Sequence, residues 1–79
     1  MQNKTIIVKN KKIVAGSFPV DKVKISKDKI TVPTDMVYGY WIISEETFTF
    51  EPLITLSKGS ATLSIPAIKN FIIVLKVGA

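Results

Sequence analysis

The 79-residue chain contains no cysteine, no histidine and no arginine. Without cysteine it cannot form disulfides, and without cysteine or histidine the usual zinc and haem sites are excluded. A chain of this length buries only about 60% of its unfolded surface, so small domains commonly depend on a disulfide, a metal or a partner chain. We therefore expect a partner chain to supply the missing support, and assembly to be the theme of the function.

Most residues that carry enzyme chemistry are missing as well. The sequence has no histidine base, no cysteine nucleophile, no glycine-rich phosphate loop and no Gly-x-Ser-x-Gly motif. Its paired carboxylates are Glu45 and Glu46, and adjacent residues of a strand point to opposite faces instead of flanking a substrate. We expect a protein that is not an enzyme and that uses neither a cofactor nor a metal.

The residues that are abundant indicate an all-β fold. Isoleucine (12), valine (8) and threonine (7) make up about a third of the chain, whereas leucine and alanine contribute four each. β-branched side chains lose rotamer freedom in helices and pack well on pleated surfaces.

Nine short apolar or alternating segments, separated by turn residues, are the candidates for the seven or eight strands that we expect. The candidate segments are Lys4–Lys9, Lys12–Phe18, Val23–Ser26, Lys29–Val32, Met36–Ser44, Thr47–Phe50, Leu53–Ser57, Ser60–Ile65 and Phe71–Val77. Lys58-Gly59 is the clearest hairpin turn, because glycine adopts positive φ without steric cost. We expect one domain, residues 1–79, folded as a small antiparallel β-sandwich of jelly-roll or immunoglobulin-like type. A small barrel of SH3 or OB type is the alternative.

The segment from Gly59 to Pro66, followed by Phe71 to Leu75, resembles the late strands of immunoglobulin-like modules. The resemblance covers about a quarter of the chain. It implies a β-sandwich and assigns no functional residue.

Two predicted strands are apolar on both faces. In Val37–Ile43, regular alternation places Tyr38 and Tyr40 on one face and Trp41 on the other, and Phe71–Leu75 is apolar throughout. A sandwich buries only one face of each sheet, so the second face of these strands is expected to meet another chain. The predicted interface residues are Tyr38, Tyr40, Trp41, Ile43, Phe71, Ile73 and Leu75.

All eleven cationic residues are lysines, and they are unevenly distributed. The first 31 residues hold eight lysines and two aspartates, a net charge of +6, whereas the remainder has a net charge of −1. The predicted basic face comprises Lys9, Lys11, Lys12, Lys22, Lys24, Lys27 and Lys29. Two interpretations stay open: the lysines keep edge strands soluble, or they face an anionic partner.

The leading functional hypothesis is a non-enzymatic structural or assembly subunit that acts through sheet faces and edges. Its expected partners are further copies of the chain, as a homo-oligomer, or neighbouring proteins of a virus or phage particle. In such a particle it would be a minor capsid, decoration or spike-base protein. This step to a particle rests on analogy of size and composition.

Two alternatives come from other classes. A small basic barrel that binds single-stranded nucleic acid is one, because Tyr38 and Tyr40 on one strand face, about 6.5–7 Å apart, could stack bases. The absence of arginine weighs against it. A phage-encoded inhibitor of a host protein is the other. No segment has the length of a signal-peptide core or a membrane span, so we expect synthesis in the cytoplasm and no membrane span.

Overall fold

A computed structural model of the chain describes residues 2–45 and 49–78. The strands are β1 (Gln2–Lys9), β2 (Lys12–Gly16), β3 (Lys24–Ile25), β4 (Lys29–Val32), β5 (Val37–Ile43), β6 (Ile54–Ser57), β7 (Ser60–Ser64) and β8 (Phe71–Val77). They form two four-stranded antiparallel sheets, sheet A in the order β2-β1-β8-β5 and sheet B in the order β3-β4-β7-β6. The two sheets pack together, which confirms the predicted all-β sandwich.

Most strand positions agree with the sequence prediction to within one or two residues. The segment expected to run from Lys12 to Phe18 ends at Gly16, and a short 3₁₀ turn at Val20–Lys22 follows Pro19. The segment predicted over Thr47–Phe50 lies partly outside the described residues, and its last two residues are not in a strand.

Two tight turns close the hairpins at the ends of the sandwich. Asn10 and Lys11, between β1 and β2, both have positive φ (52° and 61°), as a two-residue turn of type I′ requires. Lys58 and Gly59 join β6 to β7 with Gly59 at φ 80°, which confirms the predicted hairpin. The Gly59 N–H donates to Oδ2 of Asp35 at 3.1 Å, so this turn is anchored to the chain before β5.

The core consists of apolar side chains that point inward from alternate positions of both sheets. β8 alone contributes four, because its burial alternates along the strand from Phe71 to Val77. Fourteen buried residues form one cluster: Ile6, Val8, Val23, Ile30, Val32, Val37, Tyr40, Ala61, Leu63, Ile65, Phe71, Ile73, Leu75 and Val77. This alternation determines which side chains remain on the outer faces of the sheets.

Gly16 ends β2 where two backbones approach closely. A Cβ built on this residue would lie 2.7 Å from the carbonyl oxygen of Thr5, well inside van der Waals contact. The next residue, Ser17, is held by Thr5, whose N–H donates to Ser17 Oγ at 3.0 Å. Only a residue without a side chain fits here without moving β1.

Candidate interaction surface

A β-bulge in β5 decides which of its aromatic side chains reach solvent. The register with β8 shifts between Val37 and Gly39, so one extra residue is inserted there. Val37 and Tyr40 therefore both point between the sheets and are 4% and 9% exposed. Tyr38 and Trp41 are 59% and 50% exposed. The prediction that Tyr38 and Tyr40 share a face is wrong, because regular alternation does not anticipate the inserted residue.

The hydroxyl group of Tyr40 joins the two sheets at one edge of the sandwich. It lies 2.8 Å from both the carbonyl oxygen and Oγ of Ser64 at the end of β7, and it accepts the N–H of Leu53 at 2.9 Å. Ser64 Oγ also accepts the Leu53 N–H at 2.9 Å and donates to the carbonyl oxygen of Glu51. Tyr40 thus contributes to the fold, and no local sequence pattern predicts this network.

The β8 residues chosen as interface candidates also lie in the core. Phe71, Ile73 and Leu75 are 4%, 0% and 0% exposed, so these three and Tyr40 are corrected from surface to core positions. The outward positions of β8 are instead Ile72 and Val74. The sequence shows that β8 is apolar on both faces, but the predicted interface residues Phe71, Ile73 and Leu75 are those on its inner face.

The outward side chains of sheet A form two rows across its four strands. In the first row, Ala15, Ile7, Ile72 and Ile43 are paired in register from β2 to β5. In the second row, Thr5, Val74 and Trp41 are paired from β1 to β5. Ser17, the residue after β2, continues this row because it is hydrogen-bonded to Thr5. We call the apolar members of these rows the apolar face: Ile7, Ala15, Trp41, Ile43, Ile72 and Val74. Its three most prominent side chains are Trp41, Ile43 and Ile72, which are 50%, 55% and 37% exposed.

Polar groups surround the apolar face. Lys76 Nζ lies 5.2 Å from the centroid of the Trp41 ring, within the range of a cation–π contact. At the opposite end of the face lies a shallow depression of about 590 Å³. Its apolar lining consists of Ile7, Val8, Ile43, Phe71 and Ile72. Its polar lining residues are Lys9, Ser44, Glu45 and Asn70. An apolar centre with a polar rim is the usual arrangement of a protein-binding surface.

The outer face of sheet B is polar. A row in register across its four strands consists of Lys24, Thr31, Thr62 and Thr55. The hydroxyl groups of Thr31 and Thr62 lie 3.3 Å apart, within hydrogen-bond distance. One sheet of the sandwich therefore presents a water-compatible surface, and the other presents isoleucine, valine and tryptophan.

The lysines of the predicted basic face are all exposed but belong to both sheets. Lys9, Lys11 and Lys12 lie at the β1–β2 turn, whereas Lys24 and Lys29 lie on β3 and β4. Lys22 is in the 3₁₀ turn, and Lys27 precedes β4. Lys11 and Lys27 line one cavity of about 310 Å³, together with Ile25, Ser26, Ile65, Ala67, Ile68 and Phe71. The lysines thus follow one edge and one end of the sandwich instead of forming a single flat face.

Comparisons with known proteins assign no relative to this chain. It matches no protein-family model, no curated protein and no solved structure. Within residues 2–45 and 49–78, no three histidine, cysteine, aspartate or glutamate side chains are grouped to hold a metal ion. Among the same residues, no helix is long and apolar enough to cross a membrane.

Proposed function

We propose that this protein is a non-enzymatic structural subunit that assembles with protein partners through the apolar face of sheet A. The observation that carries the proposal is the contrast between the two outer faces of one small sandwich. Sheet B presents a row of threonines and a lysine, whereas sheet A presents Trp41, Ile43 and Ile72 at one-third to one-half exposure. The largest apolar patch on a soluble monomer is often functional, and apolar patches rimmed by polar residues are typical of protein-interaction sites.

The dimensions of the face indicate how strong such a contact is. Four strands, each about 4.8 Å wide, span about 19 Å, and the two rows extend about 14 Å along them, an area of about 270 Å². Covering this area on both partners removes about 530 Å² from water, worth about 13 kcal/mol before the costs of association at about 25 cal/mol per Å². Those costs are 4–15 kcal/mol or more, so the expected contact is specific but weak.

The identity of the assembly stays a prediction. A virus or phage particle was suggested by chain size and composition, and the apolar face is compatible with any assembly that covers it. The nucleic-acid alternative relied on two tyrosines that stack from one strand face. Because Tyr40 is in the core, that alternative loses the feature that favoured it.

Two matched substitutions test the proposal on the protein isolated from the cells that make it. Ile43 and Leu56 are 55% and 56% exposed and lie on edge strands of different sheets. We expect the wild-type protein, loaded at about 1 mM so that a weak contact stays formed, to elute from a sizing column as a species larger than the 8.7 kDa monomer. Ile43→Asp should shift it to the monomer position, and Leu56→Asp should leave the assembly intact.

Two results would contradict the proposal. One is a wild-type protein that elutes as a monomer in the native extract and also at about 1 mM after purification. The other is an assembly that survives Ile43→Asp as well as it survives Leu56→Asp. Circular dichroism of both variants provides the control that neither substitution unfolds the sandwich.

A further inference from the structure

We propose that the partner covering the apolar face is a second copy of this chain, related by a two-fold axis that runs parallel to the strands between β1 and β8. This inference rests on the proposed function, because it names the occupant of the same face. Such an axis exchanges β1 with β8 and β2 with β5 across the interface, so each strand lies over a different strand of the other copy. Two-fold dimers are the commonest symmetric assemblies of soluble proteins.

The distribution of side-chain size across the face favours this axis. On the β5 side the outward residues are large, Ile43 and Trp41. On the β2 side the residues of the same rows are small, Ala15 and Ser17, whereas the exposed Val14 is the extra residue of a bulge in β2 and is paired in neither row. The axis places Ala15 over Ile43 and Ser17 over Trp41 of the other copy. Large side chains then meet small ones at both margins, as two packed sheets require for interdigitation.

The central strands are complementary under the same operation. Ile7 on β1 is in register with Ile72 on β8, so the axis places Ile7 of each copy over Ile72 of the other. Thr5 is likewise in register with Val74 and would lie over it. Both contacts occur twice, once on each side of the axis.

The charges at one end of the face point to the same arrangement. Lys12 on β2 is in register with Lys9 on β1, and Lys9 shares the shallow depression with Glu45, which follows β5. Positive charge therefore lies on the β2 side of this end and negative charge on the β5 side. The two-fold axis brings Lys12 of each copy to Glu45 of the other, a pair of opposite charges that occurs twice.

The other in-plane two-fold axis, perpendicular to the strands, lacks this complementarity. It would place β5 over β5, so that Trp41 and Ile43 crowd the same large residues of the second copy. It would also move Glu45 to the opposite end of the face from the Lys12 of the other copy. Size and charge thus favour the axis parallel to the strands.

The area of the face predicts a dimer that dissociates on dilution. Two copies would bury about 530 Å², well below the roughly 1,200–2,000 Å² of stable specific complexes. We therefore expect a dissociation constant above about 1 µM for the purified chain.

Charge reversal tests the pairing of Lys12 with Glu45. Sedimentation equilibrium of the purified chain should show a monomer–dimer equilibrium up to about 1 mM. Lys12→Glu and Glu45→Lys should each raise the dissociation constant about fivefold or more, since each creates two like-charge contacts. The double variant should return it to within about twofold of wild type, and Lys24→Glu on sheet B is the control for net charge.

The outcomes of this experiment separate the pairing from general charge effects. Failure of the double variant to recover dimerisation would overturn the proposed axis. A loss with Lys24→Glu as large as that with Lys12→Glu would also overturn it, because net charge and not a contact would then control association.

Cross-linking tests the geometry independently, because the chain contains no natural cysteine. Ala15→Cys and Ile43→Cys chains, one carrying a size tag, are mixed and treated with a maleimide linker of about 8 Å span. We expect cross-links between the two different variants. Ala15→Cys alone should give none, because the two Ala15 positions are three strand spacings, about 14 Å, apart across the interface. Cross-links within Ala15→Cys alone, or none in the mixture, would overturn the arrangement.

Failure of this inference can be told from failure of the proposed function. The purified chain could stay monomeric at about 1 mM while Ile43→Asp still disrupts the native assembly. That result would overturn the second copy as occupant and would leave the apolar face as a binding surface. A protein that is monomeric both in the native extract and at about 1 mM after purification overturns both.

Discussion

Replacing Tyr40 by phenylalanine removes one oxygen atom from the interior of the sandwich and keeps the ring. The lost hydroxyl lies 2.8 Å from the Ser64 carbonyl oxygen and shares the Leu53 N–H with Ser64 Oγ. The substitution therefore removes one donated bond and leaves the Leu53 N–H with its second acceptor. We expect the free energy of unfolding to fall by about 1–2 kcal/mol. For a domain of this size, that corresponds to a decrease in melting temperature of about 4–16 °C.

Tyr38→Phe is the matched control on the same strand. Tyr38 is 59% exposed, so loss of its hydroxyl should change the free energy of unfolding by no more than about 0.5 kcal/mol. Both variants are measured by urea and thermal denaturation at low micromolar concentration, where self-association does not contribute. Equal effects of the two substitutions would refute the face assignment, because they would show that the bulge does not turn Tyr40 inward and Tyr38 outward.

Five further substitutions test the packing from which the apolar face follows, and the free energy of unfolding of each variant is measured by urea denaturation. Gly16→Ala should destabilise the fold by about 2 kcal/mol or more, because the new Cβ would lie 2.7 Å from a carbonyl oxygen of β1. Gly39→Ala should destabilise it by less than about 1 kcal/mol, because its Cβ would meet no described atom within 4 Å. Similar losses for both glycines would contradict the close approach. Lys11→Gly should stabilise the protein by about 0.5–1 kcal/mol, because Lys11 adopts φ 61° in the β1–β2 turn, and a destabilised variant would contradict this reasoning. Ile73→Ala should lower the free energy of unfolding by about 2–5 kcal/mol, because Ile73 is 0% exposed, and Ile72→Ala should lower it by about 1 kcal/mol or less, because Ile72 is 37% exposed. A larger loss for Ile72→Ala than for Ile73→Ala would contradict the assignment of Ile73 to the inner face of β8.

Strand positions were predictable because turn residues mark their ends. Both the Lys58-Gly59 turn and strand β8 are specified by local sequence. Glycine specifies the turn, and the continuous β-branched and apolar run from Phe71 to Leu75 specifies the strand. The pairing of β1 with β8, at opposite ends of the chain, is a long-range contact that no local pattern encodes.

The sequence predicted which strands carry an apolar outer face, but it did not predict correctly which residues form that face. Apolar residues on both faces of β5 and β8 predicted that an outer face exists, and Trp41 and Ile43 lie on it. The bulge in β5 turns Tyr40 inward, which regular alternation from Tyr38 does not predict. On β8 it is Ile73 that is buried and Ile72 that is exposed, and an entirely apolar run does not indicate which of the two points inward. Ile7 was missed, although its position within Ile6-Ile7-Val8 makes β1 a third strand that is apolar on both faces.

Hydroxyl-radical footprinting of the native assembly tests most directly whether the apolar face is covered. The oxidation rate of Trp41, the chain's single tryptophan, is measured by mass spectrometry. Leu56 on sheet B is the reference, because it is 56% exposed and Trp41 is 50% exposed. We expect the rate for Trp41 to fall several-fold between the dissociated and the assembled protein, while the rate for Leu56 stays the same. Equal oxidation of Trp41 in both states would contradict association through this face.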